Sequence, residues 1–454
     1  MNKTAEYLNM LKREVVPALG CTEPIAVAYA VCKGAEVLGK LPEIIELNLS
    51  VNIIKNALGV GIPGTGMSGI NIAAALGAVC NNSSLGLQLL SDLTEEQLLM
   101  AKNIVKEERI KITVSDTEEK LFIEAICKYK SNISRVIIKH EHTNIVFIEH
   151  NGVKIFEYED SEDNKEKLNK IEELPIKAII DNSEEESKGT ELSKECASGD
   201  KLFSIEDIYN FAVNVGFEDI KFLLNGAEMN KKVSDEGLNQ PYGLEVGNKI
   251  SKSTQFNALG NNLINKIVAA TAAASDARMS GCKLPIMTTA GSGNQGITCI
   301  IPSVVLAEEL GKSEEELARA LAISSLITIY IKGYMGRLSP ICGAGIAAST
   351  GASAAMTYLL GGDIKNIKCA IKNMLADVSG IICDGAKSTC ALKIATAVNA
   401  AIQCSILAMS NIEPCSNDGI INDDVEKTIE NIGSLVANGF DKTDKAILEI
   451  MLNK

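Results

Sequence analysis

Ala290-Gly-Ser-Gly-Asn-Gln-Gly296 contains a literal G-x-G-x-x-G at Gly291, Gly293 and Gly296. That spacing forces a choice of fold. A dinucleotide-binding reading needs a strand before the glycines, a βαβ unit around them and an acidic residue about 20 positions further on. Here the flanks are Ala-rich segments of helical character, and Glu308 and Glu309 fall on the helix that follows. The run therefore reads as a loop between helices. Its Ser292, Asn294, Gln295 and backbone N–H groups are candidates to receive a substrate carboxylate.

Working outward, residues Asn261–Met279, Ile301–Leu310, Ser313–Ile331, Ile346–Leu360, Ile364–Val378 and Ala391–Met409 read as Ala-rich or apolar helices, punctuated by short Gly- and Pro-bearing segments. The chain has no Trp and only 4% aromatics, so its cores must be built from Ala, Ile, Leu, Val and Gly, which favours close-packed helices. Toward the N-terminus, Ala5–Lys40 reads as helical with an interruption at Pro17-Ala-Leu-Gly-Cys-Thr-Glu-Pro24. Glu46–Ile53 alternates like a half-buried strand, a Gly-rich loop leads into a small-residue helix at Ile70–Cys80, and Thr94–Glu107 reads as a helix. Strand-like runs follow at Ile110–Val114, Leu121–Tyr129, Arg135–Lys139, Asn144–Glu149 and Val153–Tyr158, with Asn151-Gly152 as a hairpin signal.

The expected fold is α+β. An α/β sheet domain spans 41–160 and an Ala-rich all-helical domain spans 203–454, with an N-terminal helical segment, 1–40, packing on the latter. The intervening 161–202 reads as an acidic linker or insertion, because Glu157–Asp200 holds 15 acidic and 6 basic residues. A length of 454 residues accommodates two to four domains. The net charge of −14, with no basic run, argues against nucleic-acid and anionic-membrane partners. Met1–Arg13 has no apolar h-region, and Ile394–Met409 is short and carries Asn399 and Gln403. A cytoplasmic protein with no membrane partner is expected. The 13 cysteines are scattered singly, unlike a secreted disulfide scaffold, and suit a reducing compartment.

Several constellations could carry chemistry. Cys342 lies in Ser339-Pro-Ile-Cys-Gly-Ala-Gly345, and Cys383 and Cys390 lie in Gly380-Ile-Ile-Cys-Asp-Gly-Ala-Lys-Ser-Thr-Cys390. Each stands at a Gly-marked break, where free backbone N–H groups favour a thiolate. They could be buried thiols of no function, or three ligands of an iron–sulfur cluster with one iron left open. Cys21, in Gly20-Cys-Thr-Glu-Pro24, stands before a helix and could be a base, a nucleophile or a ligand. Gly64-Thr-Gly-Met-Ser-Gly69 follows a strand and precedes a helix; it could be an anion nest or a structural turn, and it lacks the ending of a phosphate loop. The only histidines, His140, His142 and His150, fall in the sheet region, with His140 and His142 on one face of a strand. No histidine is available as a base in the helical half.

Together these motifs, with Ala274-Ser-Asp-Ala-Arg278, resemble the L-cysteine desulfidase family, which is related to the alpha-chain fold of the iron–sulfur L-serine dehydratases. The resemblance spans nearly the whole chain except the acidic insertion. It implies a cluster-binding helical domain and a [4Fe–4S] enzyme that degrades L-cysteine to pyruvate, ammonia and sulfide without pyridoxal phosphate. It implies Cys342, Cys383 and Cys390 as cluster ligands. It places Cys21 where the dehydratases carry a histidine, as base or ligand, with Lys387 as a lesser candidate base. Thr22, Glu23, Thr65, Gly66, Ser68, Ser292, Asn294 and Gln295 are the expected substrate contacts, and a homodimer is expected. The competing readings are an L-serine dehydratase, with hydroxide as the leaving group, and a non-catalytic iron–sulfur sensor of redox or sulfur status.

Overall fold

The computed structural model describes residues 3–158, 203–252, 262–440 and 442–453. Most of the acidic segment lies outside them. The chain divides into two compact units: Met1–Cys21 with Asp200–Ile447, and Thr22–Gly199 with Leu448–Lys454. The division falls between Cys21 and Thr22, so the expected 1–40 segment is split. Its first helix counts with the helical unit and its second with the sheet.

In the sheet unit, six strands lie in the spatial order Ile110–Val114, Ile44–Leu49, Phe122–Tyr129, Asn132–Lys139, Ile145–His150 and Val153–Glu157. The first two are parallel and every other neighbouring pair is antiparallel. Alternation decides the buried face: Ile45, Leu47 and Leu49 point inward beside Ile123, Ala125 and Cys127. Helix Thr22–Leu38 covers that face, where the Ser134 hydroxyl donates to Gly34 O at 2.7 Å. Helix Ile70–Cys80 packs closely on it through Gly77, where a Cβ would overlap the backbone of Ala28.

Two expectations fail here. The strand expected over Glu46–Ile53 ends at Leu49, and Val51–Ala57 is a helix. The Ser50 hydroxyl donates to Lys120 O and accepts from Phe122 N–H, closing the ladder, while Asn52 through Ala57 are all buried. The apolar/polar alternation runs on to Ile53 in the sequence, but here it lies on a helix whose polar Asn52, Lys55 and Asn56 are buried as well. His140 and His142 do not share a strand face either. The strand stops at Lys139, His140 is exposed at a φ of 67°, and His142 is buried in the turn.

The helical unit opens with Lys3–Glu14, whose Tyr7 ring packs 4.7 Å from Phe203 and 4.8 Å from Phe211. Pro17–Ala18 then pairs antiparallel with Ile286–Met287. The principal helices are Leu263–Met279, Gly293–Leu310, Glu314–Met335, Ser349–Leu359, Ile364–Asp377 and Cys390–Met409. Asn262, Ser313 and Asp363 cap three of them through their side chains. Their interfaces are made at backbone distance: a Cβ on Gly237 would overlap Ala273, and one on Gly351 would overlap Ser324 O. The helix expected to start at Ile301 starts at Gly293 instead. Gly293 and Gly296 weaken helix propensity yet are required, because a Cβ on Gly296 would overlap Met287 O. This helix follows a two-residue antiparallel strand and belongs to no βαβ unit.

Two glycines test this packing with opposite signs. Gly77→Ala is expected to destabilise the protein by about 1–3 kcal/mol, since backbone must move. Gly333→Ala, on an exposed helical position with open space around it, is expected to stabilise by about 0.5–1 kcal/mol. Urea unfolding of both variants beside the wild type measures this.

Candidate active site

Cys342, Cys383 and Cys390 lie within electrostatic range of one another in the helical unit. Ile341 and Ile382 form an antiparallel bridge, flanked by Cys342 N–H to Ile381 O and Cys383 N–H to Pro340 O, both 2.8 Å. That bridge sets Cys342 and Cys383 side by side. Cys390 is the first residue of helix Cys390–Met409, and its Sγ accepts from Lys387 N–H at 3.4 Å. Cys342 Sγ accepts from Gly345 N–H at 3.3 Å. The chain after it winds as a π-helical turn over Ala344–Ala348, closed by Ala348 N–H to Gly343 O at 3.0 Å.

Burial, and then the charges of Cys383 and Cys390, push the Cys342 thiol up to about 12. Burial also raises Cys390, opposed by the Lys387 N–H and reinforced by the charge of Cys383. Cys342 and Cys390 therefore lie in the field of neighbouring thiols. Lys393 stands in the same field. Its Nζ pairs with Asp384 and donates to Ile382 O at 3.1 Å, bracing the Cys383 loop.

Soft sulfur donors suit iron, and Cys342 and Cys390 each have an amide N–H turned to Sγ. Among the described residues, no three His, Cys, Asp or Glu side chains converge as around a single ion. A cluster does not ask for that, because each of its irons takes its own thiolate. The chemistry of these three thiols suits iron–sulfur ligation.

Beside the thiols lies the first turn of helix Gly293–Leu310. Ala290 and Gly291, at φ of 49° and 75°, turn the chain into it. Gly293 is glycine because a Cβ would overlap Ile286 Cδ1 and the Arg278 guanidinium. Arg278 is 5% exposed, and its Nη2 donates to Gly20 O at 3.2 Å, tying the loop that bears Cys21 to this turn. The Arg278 charge acts on Cys390 in the opposite sense to burial. Gln295 lies against Gly343, where a Cβ would stand 3.1 Å from its Cδ, next to Cys342.

Of the expected site residues, the helical unit thus gathers Cys342, Cys383, Cys390, Lys387, Ser292 and Gln295, with buried Cys21 in the chain next to Gly20. Asn294 sits in the same turn, but its side chain faces inward: Oδ1 accepts from the Ser275 hydroxyl and Nδ2 lies 3.5 Å from Met279 Sδ. In the sheet unit, Thr22 and Glu23 open helix Thr22–Leu38. Glu23 accepts from the Thr22 hydroxyl at 3.2 Å and from Asn56 Nδ2 at 3.0 Å. Thr65 closes its own turn, donating to Ile62 O at 2.8 Å and accepting from Met67 N–H at 2.9 Å, while Gly66 and Ser68 are exposed. Arg278, Asp276, Asn56 and Lys393 carry no role in the sequence reading. Asp276 and Arg278 had a signal, since two charges inside an Ala-rich buried helix need a reason.

Residues 84–449 match the family model described as the serine dehydratase alpha chain. The chain belongs to the serine dehydratase alpha chain family. This family generally depends on iron–sulfur clusters and comprises lyase-type enzymes. All three thiols, Arg278 and the Gly293 turn fall within the match, whereas the motifs at 20–24 and 64–69 precede it. A UPF0597 protein of Clostridium perfringens is 53% identical over 99% of this chain and 98% of its own. Those of Parabacteroides distasonis and Clostridium tetani are each 42% identical, covering 99% and 100% of this chain and 98% and 100% of their own. Among the described residues one helix, Cys390–Met409, is long and apolar enough to cross a membrane by length and composition, and half of its most apolar window is buried within the protein.

Asp276 lies two residues before Arg278 on helix Leu263–Met279. It is fully buried; Oδ2 accepts from Gly247 N–H at 3.0 Å, and Oδ1 has no partner. Burial, opposed by the N–H groups of Gly247, Val246 and Leu244, raises its pKa to about 6. The folded value exceeds the unfolded one, so between about pH 4 and pH 6 the folded state holds more protons. Stability falls as pH rises through that window, by up to about 3 kcal/mol. Asp276→Asn is expected to lose this dependence, so its stability relative to wild type should improve from pH 4.5 to pH 7, as measured by denaturant midpoints.

Proposed function

We propose that the protein is a [4Fe–4S]-dependent L-cysteine desulfidase, releasing sulfide, pyruvate and ammonia by α,β-elimination. The observation that supports it most is the gathering of three thiols at mutual electrostatic range beside a buried cation and an open helix N-terminus. Cys342, Cys383 and Cys390 would hold the cluster. When bound, the cluster would supply a Lewis-acidic iron that makes the substrate sulfur a better leaving group.

The chain's own residues do the rest. Ser292, Gln295 and the first-turn amides orient the amino acid. Cys21 takes the α-proton in a dry setting, with Lys387 as the second candidate. Sulfide departs from the β-carbon, and the resulting aminoacrylate hydrolyses to pyruvate and ammonia after release. The second reading, an L-serine dehydratase, draws on the family match and differs only in the leaving group.

Anaerobic purification with iron and sulfide counting, followed by sulfide release from L-cysteine and pyruvate formation from L-serine on one preparation, separates the two. Cys342→Ala, Cys383→Ala and Cys390→Ala are each expected to lose iron and the visible iron–sulfur absorption. Cys21→Ser is expected to keep both and lose turnover about 10²–10⁴-fold. Full turnover in Cys21→Ser would remove it as the base.

A further inference from the structure

A guanidinium in the interior calls for an anion. Arg278 is 5% exposed, and among the described residues no carboxylate pairs with it. Its single hydrogen bond goes to Gly20 O, and Nε is buried with no acceptor. A buried charge left in that state is expensive unless something completes it. What stands next to it is the start of the 18-residue helix Gly293–Leu310. The first intrahelical bond there is Gly296 N–H to Ser292 O, and the Ser292 side chain caps nothing. The amides of Gly293, Asn294 and Gln295 therefore lead the positive end of the helix dipole with no helical acceptor of their own. Glycine at 293 is what lets the guanidinium reach this turn.

A second buried group points to the same ligand with the opposite charge. Gln295 is 4% exposed, its Oε1 has no donor, and it lies against Gly343, one residue from Cys342. An orphaned donor and an orphaned acceptor, set around one helix start, fit the two ends of a zwitterion.

We propose that Arg278, with the first-turn amides of helix Gly293–Leu310, is the carboxylate anchor for an α-amino acid, and that Gln295 Oε1 receives its ammonium group. This deepens the reading above and rests on the site's receiving a small amino acid. It explains why a charged residue is kept inside an Ala-rich helix. It also sets specificity: a thiol lacking the carboxylate leaves Arg278 unpaired and is rejected.

The test is calorimetric titration of the anaerobically purified full chain with L-alanine, which carries both charges and no leaving group, and with ethylamine, which has no carboxylate. Wild type is expected to bind L-alanine and not ethylamine. Arg278→Gln is expected to weaken L-alanine binding about 10- to 100-fold, and Arg278→Lys to weaken it less. Because Arg278 also holds Gly20 O, circular dichroism checks the fold of each variant. A measurement that needs no variant accompanies them: propionate is expected to displace L-alanine from the wild type. Equal L-alanine affinity in wild type and folded Arg278→Gln, or no displacement by propionate, overturns the proposal. L-Alanine binding through Arg278 without sulfide release from L-cysteine would leave the anchor standing and remove the desulfidase reading. Sulfide release with an unchanged KM in Arg278→Gln would do the reverse.

Discussion

Backbone meets backbone throughout this protein, and that contact is made possible by residues with little or no side chain. Gly77 against Ala28, Gly237 against Ala273 and Gly296 against Met287 leave no room for a Cβ. A chain without Trp and poor in aromatics cannot fill wide gaps, so its helices must approach closely. Close approach has a chemical consequence. Helix starts and short bridges sit at fixed positions with little slack, and functional groups mounted on them inherit that rigidity.

The thiol cluster illustrates the point. Cys342 and Cys383 are set by one antiparallel bridge, Ile341 to Ile382, and Cys390 by the first turn of its helix. None of the three depends on a long loop. Gly343, next to Cys342, lies against Gln295, so the thiols and the Gly293 turn share a backbone segment. Asp276 and Arg278 stand two residues apart on a single buried helix. One clamps the chain at Gly247 and the other meets the Gly293 turn. Both are charges retained inside an apolar helix for what they hold in place.

Most of the fold was legible in the sequence. The principal helices from Leu263 to Met409 and the strands from Ile110 to Glu157 follow from Ala-rich or apolar composition, alternation and the Asn151-Gly152 turn. The failures share a cause, which is tertiary packing overriding local pattern. Val51–Ile53 continues the alternation of the strand before it, yet those residues belong to a helix in which Asn52 through Ala57 are all buried. Helix Gly293–Leu310 looked late because the glycines that packing demands at its start are poor helix formers. Asn294 resembled a ligand in a loop, yet as part of a helical turn its side chain faces Ser275 and Met279.

The sequence by itself determined the cysteine-bearing motifs, the Ala- and Gly-based helices around them, and the resemblance that ties them to iron–sulfur chemistry. It did so because residue type and spacing are local properties. Only the tertiary structure decided which groups meet. That Cys342, Cys383 and Cys390 feel one another's charge, that Gln295 lies by Gly343, and that Arg278 lies beside the Gly293 turn depend on how separate segments of the chain pack together. Distance in space between remote segments, and the electrostatics that follow from it, are written into the packing of the whole unit and into no local stretch of it.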